Sequence, residues 1–196
     1  MLKLSKRRIL AAVPRNNLEI VMKIVYTIGH SNRRLEEFLS LLKEVSVELV
    51  YDVRSFPTSK IAPHFSKHIL SNELSRAGLK YIWDGRLGGY RKFGRDVEDF
   101  GIARCFKSEG FRAYATYLVK NSEARRACRE LALIAEKNVT AIMCKERIPW
   151  RCHRKILSDF MISQGFKVIH IIDEDWKAVH KLTKCARIVN GELTYV

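Results

Sequence analysis

The sequence predicts an α/β fold: a single three-layer domain whose mostly parallel central sheet of about five strands carries helices on both faces. Short apolar, β-rich runs alternate along the chain with segments in which apolar residues repeat at helical spacing. Such alternation produces right-handed strand–helix–strand crossovers and a parallel sheet. The length of 196 residues suits one compact domain and is too short for two of full size.

Five apolar runs predict the strands, and turn residues end the first two of them. Gly29 follows the first run, and Pro57 lies shortly after the second, where proline stops the pairing of strands. Nearly continuous apolar character is typical of strands buried on both faces. The predicted strands are residues 21–28, 47–53, 79–83, 139–144 and 166–172.

Helical segments lie between these strands. In the first, Leu35 and Phe38 repeat at helical spacing, and Ser31 or Asn32 is the expected N-cap. Gly78 is expected to end the second helix, and Asn121 to begin the fourth. The other predicted helices are residues 66–77, 111–119, 123–137 and 150–164.

The expected domain organisation has three parts. Residues 1–20 form a basic N-terminal arm, residues 21–172 the α/β domain, and residues 173–196 a C-terminal extension packed on it. The extension is expected to hold a short helix and a hairpin around Asn190-Gly191. Residues 84–110 are expected to form a long surface loop, and Met22 is an alternative start of the chain.

The composition is strongly basic. The chain has 36 Lys and Arg against 21 Asp and Glu, a net charge of +15, which favours nucleic acid or a nucleotide as partner. No apolar run is long enough to span a bilayer, so no membrane partner is expected. Five scattered cysteines and the lack of a signal peptide favour reduced thiols and a cytoplasmic location. The oligomeric state stays open.

Polar side chains follow the ends of the predicted strands. In an open parallel sheet, ligands bind beyond the carboxyl ends of the strands, so these side chains are expected to share one pocket. The strand ends deliver His30 and Ser31, then Asp52 and Arg54, then Asp84, and finally Cys144, Glu146 and Arg147, with Cys152, His153 and Arg154 close behind.

The segment from Cys144 to Lys155 predicts phosphate recognition. It holds one carboxylate among five basic side chains, and the turn into a helix offers free N–H groups and a positive dipole end. Arginine adds bidentate contacts to phosphate oxygens. The predicted phosphate-binding residues are Arg54, Arg147, Arg154 and Ser31, and the predicted catalytic residues are Glu146, Asp52, His30 and His153. An ion pair would be a purely structural role for Glu146.

No metal and no cofactor are expected. Cys144, Cys152 and His153 lack the spacing of common zinc motifs, and adjacent residues on a helix point about 100° apart. The glycine-rich stretch at Gly88-Gly89 lacks a nucleotide-binding fingerprint.

The loop after the third strand combines aromatic and basic residues. Aromatic faces stack on bases while cations follow the backbone, so the pattern favours nucleic acid. The residues predicted to contact nucleic acid are Arg86, Tyr90, Arg91, Lys92 and Arg95. The alternative is a basic loop held over the core by its aromatic residues.

Three segments together resemble the domain of unknown function 488 (DUF488) family. They are Tyr26-Thr-Ile-Gly-His-Ser31, Asp52-Val-Arg-Ser-Phe-Pro57, and Cys144-x-Glu146 through Cys152-His-Arg154; Leu87-Gly-Gly89 and the helix with Tyr114 and Tyr117 fit the same pattern. The resemblance covers roughly residues 22–172. It implies a compact α/β domain in which the three segments converge on one site, and it supplies no reaction.

Three hypotheses for function follow. The first is a protein that acts on nucleic acid or nucleotides, with hydrolysis or base removal by Glu146 or Asp52 and with His30 or His153 as proton partner. The second is a noncatalytic nucleic-acid-binding module. The third is a thiol-dependent sulfur-transfer or redox enzyme that uses Cys144, whose place before a basic loop favours a lowered pKa.

Overall fold

The computed structural model describes residues 23–196. Its central sheet has six strands in the order β3-β2-β4-β1-β5-β6. The first five are parallel to their neighbours, and β6 runs antiparallel to β5. The strands are β1 (Ile24–Gly29), β2 (Leu49–Asp52), β3 (Lys80–Trp83), β4 (Thr140–Cys144), β5 (Lys167–Ile171) and β6 (Lys177–Val179). The predicted α/β class with a mostly parallel sheet is confirmed, and β6 is an addition to the five expected strands.

Helices cover both faces of the sheet. They are α1 (Leu35–Glu44), α2 (Lys67–Arg76), α3 (Glu109–Lys120), α4 (Ser122–Ala135) and α5 (Arg154–Ser163). Phe38 of α1 and Leu70 of α2 pack with Met143 on one face, whereas Leu131 of α4 and Ile156 of α5 belong to the core on the other. Each fully buried side chain of this size contributes roughly 1.5–3 kcal/mol through the hydrophobic effect.

The helix ends agree only in part with the sequence. Asn121 caps α4 by accepting a hydrogen bond from the N–H of Ala124 at 3.0 Å, as predicted. The expected cap of α1 is wrong, because the N-cap is Arg34 and α1 has no side-chain capping bond. Ser31 instead adopts a φ of 51° and donates its N–H to the carbonyl of Lys145 at 2.7 Å.

The predicted helix 150–164 starts four residues later than expected. A 3-10 turn covers Pro149–Arg151, and α5 begins at Arg154. Cys152 has an extended backbone, with φ −127° and ψ 152°, and His153 is the N-cap of α5. The adjacent side chains of Cys152 and His153 therefore do not diverge as they would inside a helix.

The C-terminal extension ends in the expected hairpin. Strands β7 (Ala186–Val189) and β8 (Glu192–Tyr195) pair antiparallel across Asn190 and Gly191, whose φ values of 51° and 78° suit a tight two-residue turn. The buried hydroxyl of Tyr195 donates to Asp159 of α5 at 2.8 Å, which ties the hairpin to the domain. The short helix expected after residue 173 is wrong: that stretch forms β6.

The structure joins Cys105 and Cys185 in a disulfide whose Cα atoms lie 6.0 Å apart. The prediction of five reduced thiols is therefore wrong for these two residues. Sequence spacing gave no sign of the pair, because 80 positions separate them. Cys128, Cys144 and Cys152 are free and buried.

Two expectations lie beyond the described residues: the basic arm at residues 1–20 and the alternative start at Met22. Within residues 23–196, no helix combines the length and the apolar character needed to cross a bilayer.

Candidate functional site

A pocket of about 580 Å³ opens at the carboxyl ends of β1, β2 and β4. The chain leaves β1 toward β2 but leaves β4 toward β5, in the opposite direction along the sheet. Adjacent strands whose connections depart in opposite directions leave a crevice between them, and ligands of open α/β sheets bind there. The walls of the pocket include His30, Arg54, Cys144, Glu146, Cys152 and His153.

The end of β1 is packed directly against the turn after β4. His30 donates its N–H to the carbonyl of Cys144 at 3.0 Å. A Cβ atom at Gly29 would overlap the carbonyl oxygen of Glu146 and crowd the Cα of Arg147. Glycine at this position therefore allows the first and last predicted segments to meet.

Arg54 is held in place by Asp52. The Asp52 carboxylate accepts from Nε of Arg54 at 2.9 Å, from its Nη2 at 2.6 Å, and from the hydroxyl of Tyr81 at 2.6 Å. Asp52 is fully buried and is absent from the pocket walls, whereas Arg54 lines them. Asp52 thus lies beneath the pocket surface, where its carboxylate oxygens accept hydrogen bonds from Arg54 and Tyr81.

His30 is buried and neutral. Its Nδ1 lies 2.9 Å from the carbonyl of Ser31, and its Nε2 lies 3.2 Å from Nη1 of Arg54. Since a carbonyl only accepts and a guanidinium only donates, Nδ1 carries the hydrogen and Nε2 accepts. Burial and then the charge of Arg54 lower the pKa of His30 to about 3. Both nitrogens are occupied, so His30 orients Arg54.

Three side chains with sulfur or imidazole donors meet on the pocket wall. Nδ1 of His153 lies 3.7 Å from Sγ of Cys152 and 3.9 Å from Sγ of Cys144. The donor atoms of these three residues all lie within 4.8 Å of one another. They form the one group of three or more His, Cys, Asp or Glu side chains in the described residues that could hold a metal ion. The expectation that adjacent Cys152 and His153 diverge is therefore wrong.

The two thiols differ in acidity. Burial opposes ionisation of Cys152, but its hydrogen bond with Cys144 and its interactions with His153 and Arg154 outweigh burial, so the pKa of Cys152 lies well below its ordinary value. The hydrogen bond with Cys152 and burial raise the pKa of Cys144 well above its ordinary value. The lowered pKa expected at Cys144 thus falls on Cys152.

Three of the four predicted phosphate-binding residues lie off the pocket walls. Arg154 is completely buried and donates to the carbonyl of Glu146 and to Thr27, which braces the turn after β4. Arg147 pairs with Asp173. Ser31 binds its neighbour Asn32 through the hydroxyl. Arg54 is the predicted member that reaches the pocket.

Other cations line the pocket in their place. Lys60, Lys145 and Arg151 are exposed wall residues, and their charged groups form no ion pair with the described part of the chain. The exposed carboxylate of Glu146 likewise makes no hydrogen bond or ion pair there, so the ion-pair role considered for it is not observed within residues 23–196. Lys145 and Arg151 belong to the basic segment recognised in the sequence, but no sequence pattern identified Lys60 as a pocket residue.

Two exposed aromatic rings form a ridge at the pocket mouth. Phe56 and Tyr90 are 73% and 78% exposed, and their ring centroids lie 6.5 Å apart. We call this pair the Phe56–Tyr90 ridge. The same two rings also line a second hollow of about 750 Å³, together with Arg91, Lys92 and Arg95. Asp96 lies in this hollow as well and pairs with Arg91 at 3.5 Å and with Arg95 at 2.8 Å.

The loop residues predicted to contact nucleic acid divide into two groups. Tyr90, Arg91, Lys92 and Arg95 gather around the second hollow. Arg86 lies elsewhere, because its guanidinium pairs with Asp84 at 2.7 Å and with Glu130 at 2.6 Å. These two ion pairs give Arg86 a structural role within the domain.

Fold and pocket define a three-layer α/β protein with a crevice lined partly by cationic side chains at the carboxyl edge of its sheet. A family model described as domain of unknown function DUF488 matches residues 34–161. The chain belongs to this family. The match contains Asp52, Arg54 and the turn after β4, and it begins after His30. No curated protein and no solved structure matches the chain.

Proposed function

We propose that the pocket binds a nucleotide or a single-stranded segment of nucleic acid, and that Glu146 carries out hydrolysis or base removal there. The observation that carries the proposal is the Phe56–Tyr90 ridge, which borders two hollows that both contain basic side chains. A base stacked on the ridge would have its neighbouring phosphates within reach of cations on either side.

Stacking accounts for the exposure of the two rings. The two rings lie side by side and exposed, and base stacking on an aromatic face contributes about 1–3 kcal/mol per base. Tyr90 has a φ of 61°, a strained backbone for a bulky residue, and strain of this kind clusters at functional sites.

Phosphate recognition falls to Lys60, Lys145 and Arg151. Cations without partners attract phosphate without first giving up an ion pair. The N-terminus of α5 adds to this, because its N-cap His153 is a wall residue and helix N-termini favour anions.

Glu146 is the best placed general base. Its carboxylate is exposed at the pocket and free of partners in the described chain, whereas Asp52 is buried and fully bonded. His30 has no free nitrogen, which removes it as the proton partner and leaves His153 on the wall.

Binding is tested by fluorescence anisotropy with a labelled oligothymidylate of about ten nucleotides. We expect Tyr90→Ala and Phe56→Ala each to weaken binding about 5- to 150-fold, which corresponds to the loss of one stacked base. Trp176→Ala is the matched control. Trp176 is 48% exposed, its ring centroid lies 6.0 Å from that of Trp150, and it lines neither hollow. Equal affinity of wild type and the Phe56/Tyr90 double variant would overturn the proposal.

Catalysis is tested separately with Glu146→Gln. We expect this variant to bind the oligonucleotide at least as well as wild type, because a negative charge is removed beside phosphate, and to lose turnover of single-stranded substrates. Turnover that survives the substitution would show that Glu146 is not the base. A wild-type protein that binds but never turns over would favour the noncatalytic binding module.

A further inference from the structure

We propose that Cys144, Cys152 and His153 form a binding site for a thiophilic metal ion, Zn²⁺ in the first place, on the wall of the pocket. Binding of nucleic acid at the Phe56–Tyr90 ridge does not depend on this site. The two proposals share His153, and Zn²⁺ bound to its Nδ1 would take the place of that nitrogen as proton partner of Glu146. It differs from the expectation drawn from sequence spacing because the local backbone is not the helix that the expectation assumed.

The distances between the donor atoms fit tetrahedral coordination. With zinc–sulfur and zinc–nitrogen bonds of about 2.3 and 2.0 Å, tetrahedral angles put ligand atoms roughly 3.5–3.8 Å apart. Nδ1 of His153 lies 3.7 Å from Sγ of Cys152 and 3.9 Å from Sγ of Cys144. Small side-chain movements would bring all three donors into place.

His153 presents the correct nitrogen. Its Nε2 lies 3.2 Å from the backbone carbonyl of Val53. A carbonyl can only accept, so Nε2 carries the hydrogen and the Nδ1 lone pair of the neutral ring faces the two sulfur atoms. Histidine ligands of metals are typically oriented in this way, by donating the other ring N–H to a carbonyl or carboxylate.

The ring of His153 is packed directly against a glycine. A Cβ atom at Gly89 would lie 2.8 Å from Nδ1 of His153 and 3.3 Å from its Cγ. No positive φ requires glycine here, so the need for glycine is steric. With a further contact of 3.4 Å to Cε1, this Cβ would lie over the face of the ring, so the absence of a side chain lets the loop pack against His153 without displacing it.

Donor types select the metal. Two thiolates and one imidazole favour Zn²⁺ or another soft ion over Mg²⁺ and Ca²⁺, which prefer oxygen ligands. Three protein ligands leave a fourth position, and all three residues line the pocket, so that position faces the solvent-filled crevice. Zinc sites with an open position are typical of catalysis rather than structural support. The free carboxylate of Glu146 lies two residues from Cys144, on the same wall.

The experiment measures metal binding by the full chain, purified under argon without a reductant so that the Cys105–Cys185 disulfide stays intact. After removal of metal with a chelator, Zn²⁺ is titrated in competition with a chromophoric chelator, and Co²⁺ serves as the spectroscopic probe. We expect one Zn²⁺ per chain. We also expect Co²⁺ to give thiolate charge-transfer bands and the intense visible bands of four-coordinate cobalt.

Matched variants locate the site. Cys144→Ser and Cys152→Ser are each expected to weaken Zn²⁺ binding at least 100-fold and to lower the charge-transfer intensity. Cys128→Ser, which changes a free buried cysteine of α4 outside the cluster, is expected to bind Zn²⁺ as wild type does. Gly89→Ala keeps all three donors and is expected to weaken Zn²⁺ binding at least tenfold. Circular dichroism and thermal melting confirm that each variant is folded.

The proposal fails if the folded wild type, with its disulfide intact and its other thiols free, binds no stoichiometric Zn²⁺, or if Cys128→Ser weakens binding as much as Cys144→Ser. Oligonucleotide binding by chelator-treated protein is measured in parallel. Loss of one activity without the other therefore shows which of the two proposals is wrong.

Discussion

Arg54 donates a hydrogen bond from Nη1 to Nε2 of His30 across 3.2 Å, so two segments 24 positions apart meet on the pocket wall. The same guanidinium is paired with the buried carboxylate of Asp52. A charge buried in this way is stable only because its partner is present. The three residues therefore act as one positioning unit, and they place a single cation at the pocket surface.

Asp52→Asn should destabilise the fold. The substitution leaves the Arg54 charge buried without its counter-ion, which costs about 3 kcal/mol in the free energy of unfolding. Urea unfolding followed by circular dichroism measures this loss. Glu98→Gln, at an exposed carboxylate, is the control and should change stability little. Similar midpoints for Asp52→Asn and wild type would show that the ion pair does not stabilise the fold.

Stability should fall as the pH drops below about 6.5, the ordinary pKa of histidine. Burial, followed by nearby positive charge, lowers the pKa of both His30 and His170 to about 3 in the folded protein. Between these two pKa values, the unfolded chain binds protons that the folded chain does not bind. Each such histidine therefore lowers the free energy of unfolding by about 1.4 kcal/mol per pH unit between pH 6.5 and the folded pKa.

Urea unfolding at pH 7, 6 and 5 measures this slope above the range in which most carboxylates titrate. His170→Gln should reduce the slope of the free energy of unfolding against pH by the contribution of one histidine. This reduction is expected whatever effect the substitution has on stability at pH 7. A slope that the substitution leaves unchanged would assign the pH dependence to other groups.

Gly29→Ala should disturb both the fold and the pocket. The new methyl group overlaps the carbonyl of Glu146, so the turn after β4 must move, at a cost of about 1–3 kcal/mol. Gly110→Ala is the matched control, because its Cβ would meet one atom, at 3.8 Å. Thermal melting compares the two variants. If Gly29→Ala melts no earlier than Gly110→Ala, the close packing of β1 on this turn is not maintained in solution.

The protein should contain one disulfide and three free thiols. Thiol titration of the denatured, unreduced chain should count Cys128, Cys144 and Cys152 alone. Peptide mapping should find Cys105 linked to Cys185. Reduction should lower stability by about 2–4 kcal/mol, since the link closes a long loop in the unfolded chain. Five reactive thiols in freshly isolated protein would contradict the pairing.

Local sequence patterns predicted the parallel sheet and its five helices, because apolar periodicity and turn residues such as Gly78 and Asn121 act over a few positions. They also placed His30, Arg54, Glu146 and His153 at one edge of the sheet, through the general rule about strand ends. The hairpin at Asn190-Gly191 was equally predictable from its turn residues.

What the sequence could not supply depends on side-chain direction. Nothing in the sequence distinguishes Arg151, which lines the pocket, from the buried Arg154, since both are arginines of one basic segment, three positions apart. Asp52 could not be recognised as buried without knowing that Tyr81 reaches it. The convergence of Cys144 with Cys152 depends on a 3-10 turn that replaces the expected first helical turn.

The crevice between β1 and β4 is created by the path of the backbone, since the two connections depart in opposite directions. Its existence therefore does not depend on any one of the side chains around it. In such a fold, the shape of the cleft and the functional groups around it are determined by different parts of the chain. The residues on the rim can therefore be exchanged for other functional groups while the cleft itself persists. That property makes this domain a suitable starting framework for engineering new ligand specificities.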